Sequence, residues 1–345
     1  MIREAIAQVV TGKDLDEQQM VEVMNEIMGG EATEAQIGAF ITALRMKGET
    51  IDEIVGAVRV MREKATFVDT GIDTTTQTLM DIVGTGGDGS GTFNVSTTTA
   101  FVVAAAGIPV AKHGNRAISS SCGSADVLEA LGVDLSMPAE RVGQCVREVG
   151  IGFLFAPMLH GAMKYAIGPR REIGIRTIFN ILGPMTNPAG ANVQLTGVFD
   201  RELTEVLARV LARLGMKRTL VVWGEGNMDE MTVTGTSYVA DARDGEVTTY
   251  TVEPEDVGLD RHSVDDIRGG ATVEESADQV RLVLDGTPGA RLDMVLLNSG
   301  AALMAAGRAD DLEAGVRLAR EVISSGAARE KLDRLVAFCQ DQVKR

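Results

Sequence analysis

Five glycines fall within eight residues, Gly84, Gly86, Gly87, Gly89 and Gly91, directly after the apolar run LMDIV. No other feature constrains the fold of this chain as much. An apolar strand must end there in a loop whose backbone can enter left-handed conformations. The residues that follow, with Thr92, Asn94, Val95, Ser96 and Thr97, then open a helix. A strand, a glycine loop and a helix N-terminus in that order present backbone N–H groups and positive potential to an anion, and phosphate is the natural ligand. The segment is not a Walker loop, because GxxxxGK[ST] is absent, and it is a poor dinucleotide fingerprint. Taken by itself, a glycine-rich surface turn is the competing reading.

The texture on either side of this loop differs. The first seventy residues carry only helical signals. Asp14 with Glu17, Thr33 with Gln36 and Thr50 with Glu53 place capping side chains three residues before an acid or amide. Apolar residues then recur at helical spacing, as in Met20, Val23, Met24 and Ile27. From about residue 79, buried-strand runs alternate with Ala-rich helical stretches, which predicts βαβ units and a largely parallel sheet. Asp244-Gly245 between β-rich flanks predicts a hairpin. DMVLLNSGAALMAAG reads as a strand running into a helix, and residues 310 to 344 return to helical periodicity. The fold class expected is α/β, a small all-helical domain with a larger α/β domain.

A formal charge of −16 repels polyanions, so a bound phosphate compound needs a local cluster of cations, amides or metal. Aromatic residues make up only 4% of the chain, too few for an evident base-stacking platform. The three cysteines, Cys122, Cys145 and Cys339, have neither metal-ligand spacing nor disulfide density. The N-terminus lacks a secretory pattern, and no apolar run approaches a membrane span. A reducing cytoplasm is the expected setting.

Three further segments carry chemistry. Lys112-His113-Gly114-Asn115-Arg116, followed by a hydroxyl-rich loop through Ser119, Ser120 and Ser124, offers charge and directed donors to phosphate oxygens. Singly, each has a structural reading: Arg116 can pair with Asp126, and His113 can be a loop histidine. Arg170, Arg171 and Arg176 lie within seven residues and are suited to a carboxylate, although surface arginines beside a helix are common. Asp229-Glu230, on a glycine-bearing loop after the strand TLVVW, are hard oxygen ligands of the kind magnesium takes beside phosphates. Paired acids are also ordinary on solvated loops. His160 reads better as packed than as a general base, because no nucleophile motif accompanies it.

In order and separation, GTGGDGSGTFNVST, KHGNRAISSSCGSADVLEALG, FAPMLHGAMKYAIGPRREIGIRTIFNILGPMTNP and GEGNMDEMT resemble the anthranilate phosphoribosyltransferase family, which acts in tryptophan biosynthesis. GEATEAQIGAFITALRMKGET resembles that family's helical region, so the similarity spans nearly the whole chain. The resemblance implies a fold of the nucleoside phosphorylase type. Its helical domain would comprise residues 1–72 with a returning segment about 164–190, and its α/β domain 73–163 and 191–345. It also implies a homodimer, and transfer of a phosphoribosyl group from phosphoribosyl diphosphate to the amine of anthranilate. By the same resemblance, Gly84, Gly87, Asp88, Thr92, Asn94, Val95, Ser96, Thr97, Lys112, His113, Gly114, Asn115, Arg116, Ala117, Ile118, Ser119, Ser120 and Ser124 would line the diphosphate donor. Gly84, Asn115 and Arg170 would meet anthranilate, and Ser96, Asp229 and Glu230 would hold Mg2+, two ions per subunit.

Two positions depart from the family's pattern, Gly161 where proline is usual and Met185 where leucine is commoner. Neither removes a polar group. A pyrimidine nucleoside phosphorylase is the nearest rival, since it shares the fold but uses free phosphate. A non-catalytic nucleic-acid-binding relative is a second rival, disfavoured by the negative charge and sparse aromatics.

Overall fold

The computed structural model describes residues 1–117 and 122–341. Four helices, Ile2–Val9, Glu17–Gly29, Glu34–Lys47 and Ile51–Lys64, open the chain. Thr33 and Thr50 cap theirs with reciprocal capping boxes, as their spacing predicts. The cap of the second helix is Asp16 with Gln19, not Asp14 with Glu17. The reason lies in Leu15. It is fully buried in the same core as Met20 and stands just before the cap with Met20 at the fourth helical position, a hydrophobic staple that fixes where the helix begins. Asp14 instead pairs with Lys47.

The α/β part holds one seven-stranded sheet: β1 (Met80–Gly84), β2 (Val110–Gly114), β3 (Ile151–Phe155), β4 (Val193–Gly197), β5 (Arg218–Gly224), β6 (Ser237–Arg243) and β7 (Glu246–Val252). Its order is β3-β2-β1-β4-β5-β6-β7. Strands β1 to β5 pair in parallel, and β6 and β7 form an antiparallel hairpin at the edge. Asp244 and Gly245 turn that hairpin with φ of 51° and 88°, the left-handed pair that a two-residue turn requires. The buried sequence Ala290–Ala305 is one helix from end to end, not a strand running into a helix. Nearly every residue of it is buried, so it lacks the polar face that would have shown a helical period.

A core packs on each face of the sheet. One is built with the helices Val95–Ala105 and Ala290–Ala305. The other joins the four N-terminal helices to Leu207, Ala208 and Leu211 of the helix Leu203–Arg213. It also takes in Ala166, Phe179, Ile181, Leu182 and Met185, so the chain returns to the helical layer after β3.

The order of the strands sets the site. Succession along the sheet reverses between β1 and β4, and the carboxyl ends of strands at such a point form a crevice. Gly84 and Gly197 end these two strands in register there.

Candidate active site

The loop after β5 crosses over that crevice. A Cβ at Gly84 would lie 2.2 Å from Asp229 Oδ2, and one at Gly197 1.5 Å from the Asp229 carbonyl oxygen. The backbone of the acidic loop can therefore pass only over a glycine at the end of β4, and Gly84 leaves room for the Asp229 carboxylate. Asp229 Oδ2 accepts from the Gly86 N–H at 2.7 Å. Glu230 Oε1 accepts from the Ser96 N–H at 3.2 Å, in the first turn of the helix Val95–Ala105. Asp88 turns its carboxylate toward the same acids, 3.5 Å from the Asp229 N–H. The glycine loop and the paired acids, remote in sequence, are thus brought together.

Lys112 completes the cluster from below. It is buried on β2 and donates through Nζ to the Ile82 carbonyl at 2.6 Å and to Ser96 Oγ at 3.3 Å. Burial pulls its pKa down, and the charges of Asp81, Glu230 and Asp229 oppose that fall. Burial pushes Asp229 up to about 7, with the Asp88 charge adding to it. Glu230 is raised well above the usual carboxylate range by burial and by Asp229. One ammonium therefore faces an excess of crowded, desolvated carboxyl groups, an arrangement that asks for a further cation. Among the described residues, no three His, Cys, Asp or Glu side chains gather tightly enough to enclose a metal by themselves. The donor set is an open one of hard oxygens, which suits Mg2+, an ion that keeps waters and shares substrate phosphates.

Strand β1 pairs with β2 only at Met80 and Val110. Beyond that point the buried Asp81 carboxylate takes over, accepting from the His113 N–H at 3.0 Å and from Asn187 Nδ2 at 2.7 Å. Asn187 also donates to the Ala111 carbonyl at 2.8 Å. Burial raises Asp81 to about 6. This bracket holds the end of β2, and with it Lys112, in place.

His113 is a buried strand residue, not a loop histidine, and its ring meets that of His160 with Nε2 atoms 3.2 Å apart. Burial lowers His113 to about 3, helped by the neighbouring His160, and lowers His160 to about 4. The folded values lie below the ordinary 6.5, so the folded protein binds fewer protons and loses this contribution as pH falls below about 6.5. Asp81 and Asp229 titrate in the opposite sense, so the test is a difference. His160→Gln should gain about 2 kcal/mol relative to the parent between pH 6.5 and 5, read from thermal unfolding. A pH-independent difference would contradict the assignment.

Gly87 has φ +69° with open space around it. Thr92 shares a hydroxyl contact with Ser90, Asn94 donates to the Cys122 carbonyl, and Val95 is core. Thr97 is buried, its hydroxyl without a hydrogen-bond partner among the described residues. A Cβ at Gly114 would meet Ser124 Oγ at 2.4 Å, and Ser124 Oγ donates to the Asn115 carbonyl. The Ala117 N–H donates to Asp126. Ile118, Ser119 and Ser120 lie outside the described residues.

Arg116 is not a free cation. Its guanidinium is taken up by Asp126 and Glu129. Arg170, in the last turn of the helix Lys164–Ile173, is half-buried over the Phe179 ring at 5.2 Å and has no ion pair among the described residues. Burial lowers its pKa, as expected of a desolvated guanidinium without a carboxylate. Sequence reasoning missed Asp81, whose signal was one acid in an otherwise apolar strand, and Asn187, hidden in an Asn-Pro turn.

The glycosyl transferase family's a/b domain matches residues 76–329, and the same family's helical bundle domain matches residues 3–65. The anthranilate phosphoribosyltransferase of Desulfotalea psychrophila is 72% identical over 337 residues, 98% of this chain and 97% of that one. That of Pelobacter propionicus is 57% identical over 99% of this chain and 100% of its own. The crystal structure of the Thermus thermophilus anthranilate phosphoribosyltransferase superposes with a TM-score of 0.91 at 46% identity, covering 97% of this chain and 99% of that one. The Saccharomyces cerevisiae enzyme in complex with PRPP and Mg gives a TM-score of 0.88 at 26% identity, covering 99% and 98%.

Proposed function

We propose a division of labour for this cleft from the premise that the chain belongs to the anthranilate phosphoribosyltransferase family. The enzyme transfers the 5-phosphoribosyl group from phosphoribosyl diphosphate to the amine of anthranilate, giving N-(5-phosphoribosyl)anthranilate and diphosphate. The observation that carries the assignment of roles is the convergence of the Gly86 amide, Ser96, Lys112, Asp229 and Glu230 at the β1–β4 crevice.

The amine of anthranilate is neutral near pH 7 and attacks C1 of the ribose without first losing a proton; the nitrogen gives up one proton to water after the C–N bond has formed. The larger demand is the departing diphosphate. Amides of the glycine loop donate to its oxygens, and Lys112, with two of three N–H groups committed to Ile82 and Ser96, keeps one for it. Asp229, Glu230 and Ser96 would hold magnesium, which when bound supplies charge neutralisation to the leaving group. Two ions per subunit is our reading, supported by Asp88 lying against the same pair of acids.

Arg170 anchors the acceptor by its carboxylate and so mainly sets how well anthranilate binds. The support is a half-buried guanidinium without a counter-ion among the described residues. Loss of anthranilate fluorescence in the presence of phosphoribosyl diphosphate and magnesium is the assay. Arg170→Ala should raise the KM for anthranilate about tenfold or more while kcat changes far less. An unaltered KM would contradict this role.

A homodimer through the helical layer is supported by exposed Met46, Tyr165 and Ile167 on the adjoining helices Glu34–Lys47 and Lys164–Ile173. No helix among the described residues is long and apolar enough to cross a membrane, and the three cysteines are free. Both fit the cytoplasmic setting that we assign.

A further inference from the structure

The crest of the glycine loop stands clear of the protein. Gly86, Gly87, Gly89 and Gly91 all have positive φ, and a Cβ at any of them would meet nothing within 4 Å. At its far end the loop is tied by Gly269 N–H to the Gly91 carbonyl at 2.9 Å and by Phe93 N–H to the Ile267 carbonyl at 3.1 Å. At its near end, Thr85 N–H donates to the Gly197 carbonyl at 3.0 Å. Glycines between such ties are costly to order when a ligand binds.

One contact reaches the crest from the returning segment. Arg176, just beyond the helix Lys164–Ile173, donates through Nη2 to the Gly87 carbonyl. Its guanidinium also lies 4.1 Å over the Phe199 ring. Phe199 follows β4, and its N–H donates to Thr85 Oγ1 at 3.2 Å, so the ring is anchored to the root of the same loop. Arg176 is exposed and has no carboxylate partner among the described residues, so the carbonyl and the ring alone hold it. Across a trans peptide the C=O of Gly87 and the N–H of Asp88 point in opposite directions. Holding the carbonyl on the Arg176 side therefore fixes the Asp88 N–H on the other.

We propose that Arg176 is a positioning residue for the sugar donor: it latches the crest of the glycine loop to the returning helical segment and so presets the loop's amides for the diphosphate. This rests on the donor assignment above. The latch belongs to donor binding and not to acceptor binding, which distinguishes Arg176 from Arg170 six residues earlier.

Arg176→Met keeps an unbranched apolar stem and loses the donors. It should raise the KM for phosphoribosyl diphosphate about tenfold, with kcat within about threefold and the KM for anthranilate unchanged. In the free protein, hydrogen exchange over residues 84–92 should quicken, a readout that needs no substrate. Arg176→Lys should recover part of the donor KM. Phe199→Leu should move it in the same direction, and R176M/F199L should be no worse than R176M. An unchanged donor KM in folded R176M overturns the latch, as does a rise confined to the anthranilate KM. Unaltered exchange in the loop overturns it as well. Should R176M fail to fold, R176K and F199L carry the same test. A parent enzyme that consumes neither substrate would instead sink the functional reading, and the exchange measurement would still decide on the latch.

Discussion

Asp229→Asn combined with Glu230→Gln is expected to lower kcat about 100- to 1,000-fold and to abolish the response of the protein to magnesium. The substitutions keep volume, and an amide oxygen can still accept from the Gly86 and Ser96 N–H groups that now bond the two acids. What they remove is charge. The same logic gives a stability signature. Asp229 is held at about 7 against an ordinary 3.8, so the folded protein binds the extra proton. That carboxylate costs stability at pH 8, where it must ionise while buried, and costs progressively less as pH falls through about 7 toward 4. Asp229→Asn in metal-free buffer should therefore unfold at a higher temperature than the parent at pH 8, with the gap closing near pH 4. Unchanged turnover in the double variant would remove the metal role from these acids.

Gly197→Ala should be as damaging without touching any charged group. The added Cβ would lie 1.5 Å from the Asp229 carbonyl oxygen and 2.2 Å from its carbonyl carbon, both backbone atoms that cannot rotate away. The acidic loop must lift off the β1–β4 crevice. Overpacking of this kind costs about 1–3 kcal/mol, and displacing Asp229 by even an ångström should cost about 100-fold in turnover. Gly161→Ala is the control: a Cβ there meets nothing within 4 Å, and its φ is not positive. Thermal unfolding and steady-state kinetics of both variants check the contrast. Equal behaviour would mean that the crossing of the Asp229 loop over Gly197 is not what organises the site.

The elements that carry local signals were legible in the sequence. Thr33 and Thr50 announce their helices by a side chain that caps a backbone amide three residues on, and Asp244-Gly245 announces the hairpin by the φ that it permits. Asp14 misled because the true start depends on Leu15 finding a buried place beside Met20, a tertiary fact. The helix Ala290–Ala305 misled because a helix buried at nearly every position has no polar face to reveal its period.

The glycine loop, Lys112 and the two acids were each legible as chemistry. Their meeting at one site was expected as well; what brings it about, the order of the strands and the glycine that lets the acidic loop cross the end of β4, left no local signal. The Arg116 pairing with Asp126 was readable from spacing, whereas its second partner, Glu129, was not anticipated. Asp81 and Asn187 escaped because they act on the backbone of β2 and not on a ligand, leaving no motif.

A crystal structure of the enzyme with phosphoribosyl diphosphate and magnesium would show whether the donor and the metal meet at the β1–β4 crevice. Metal density is expected roughly 2.1 Å from carboxylate oxygens of Asp229 and Glu230. The diphosphate should lie against the amides of residues 85–89, with Lys112 within hydrogen-bonding distance. Diphosphate bound away from the β1–β4 crevice, or metal held without either acid, would contradict it.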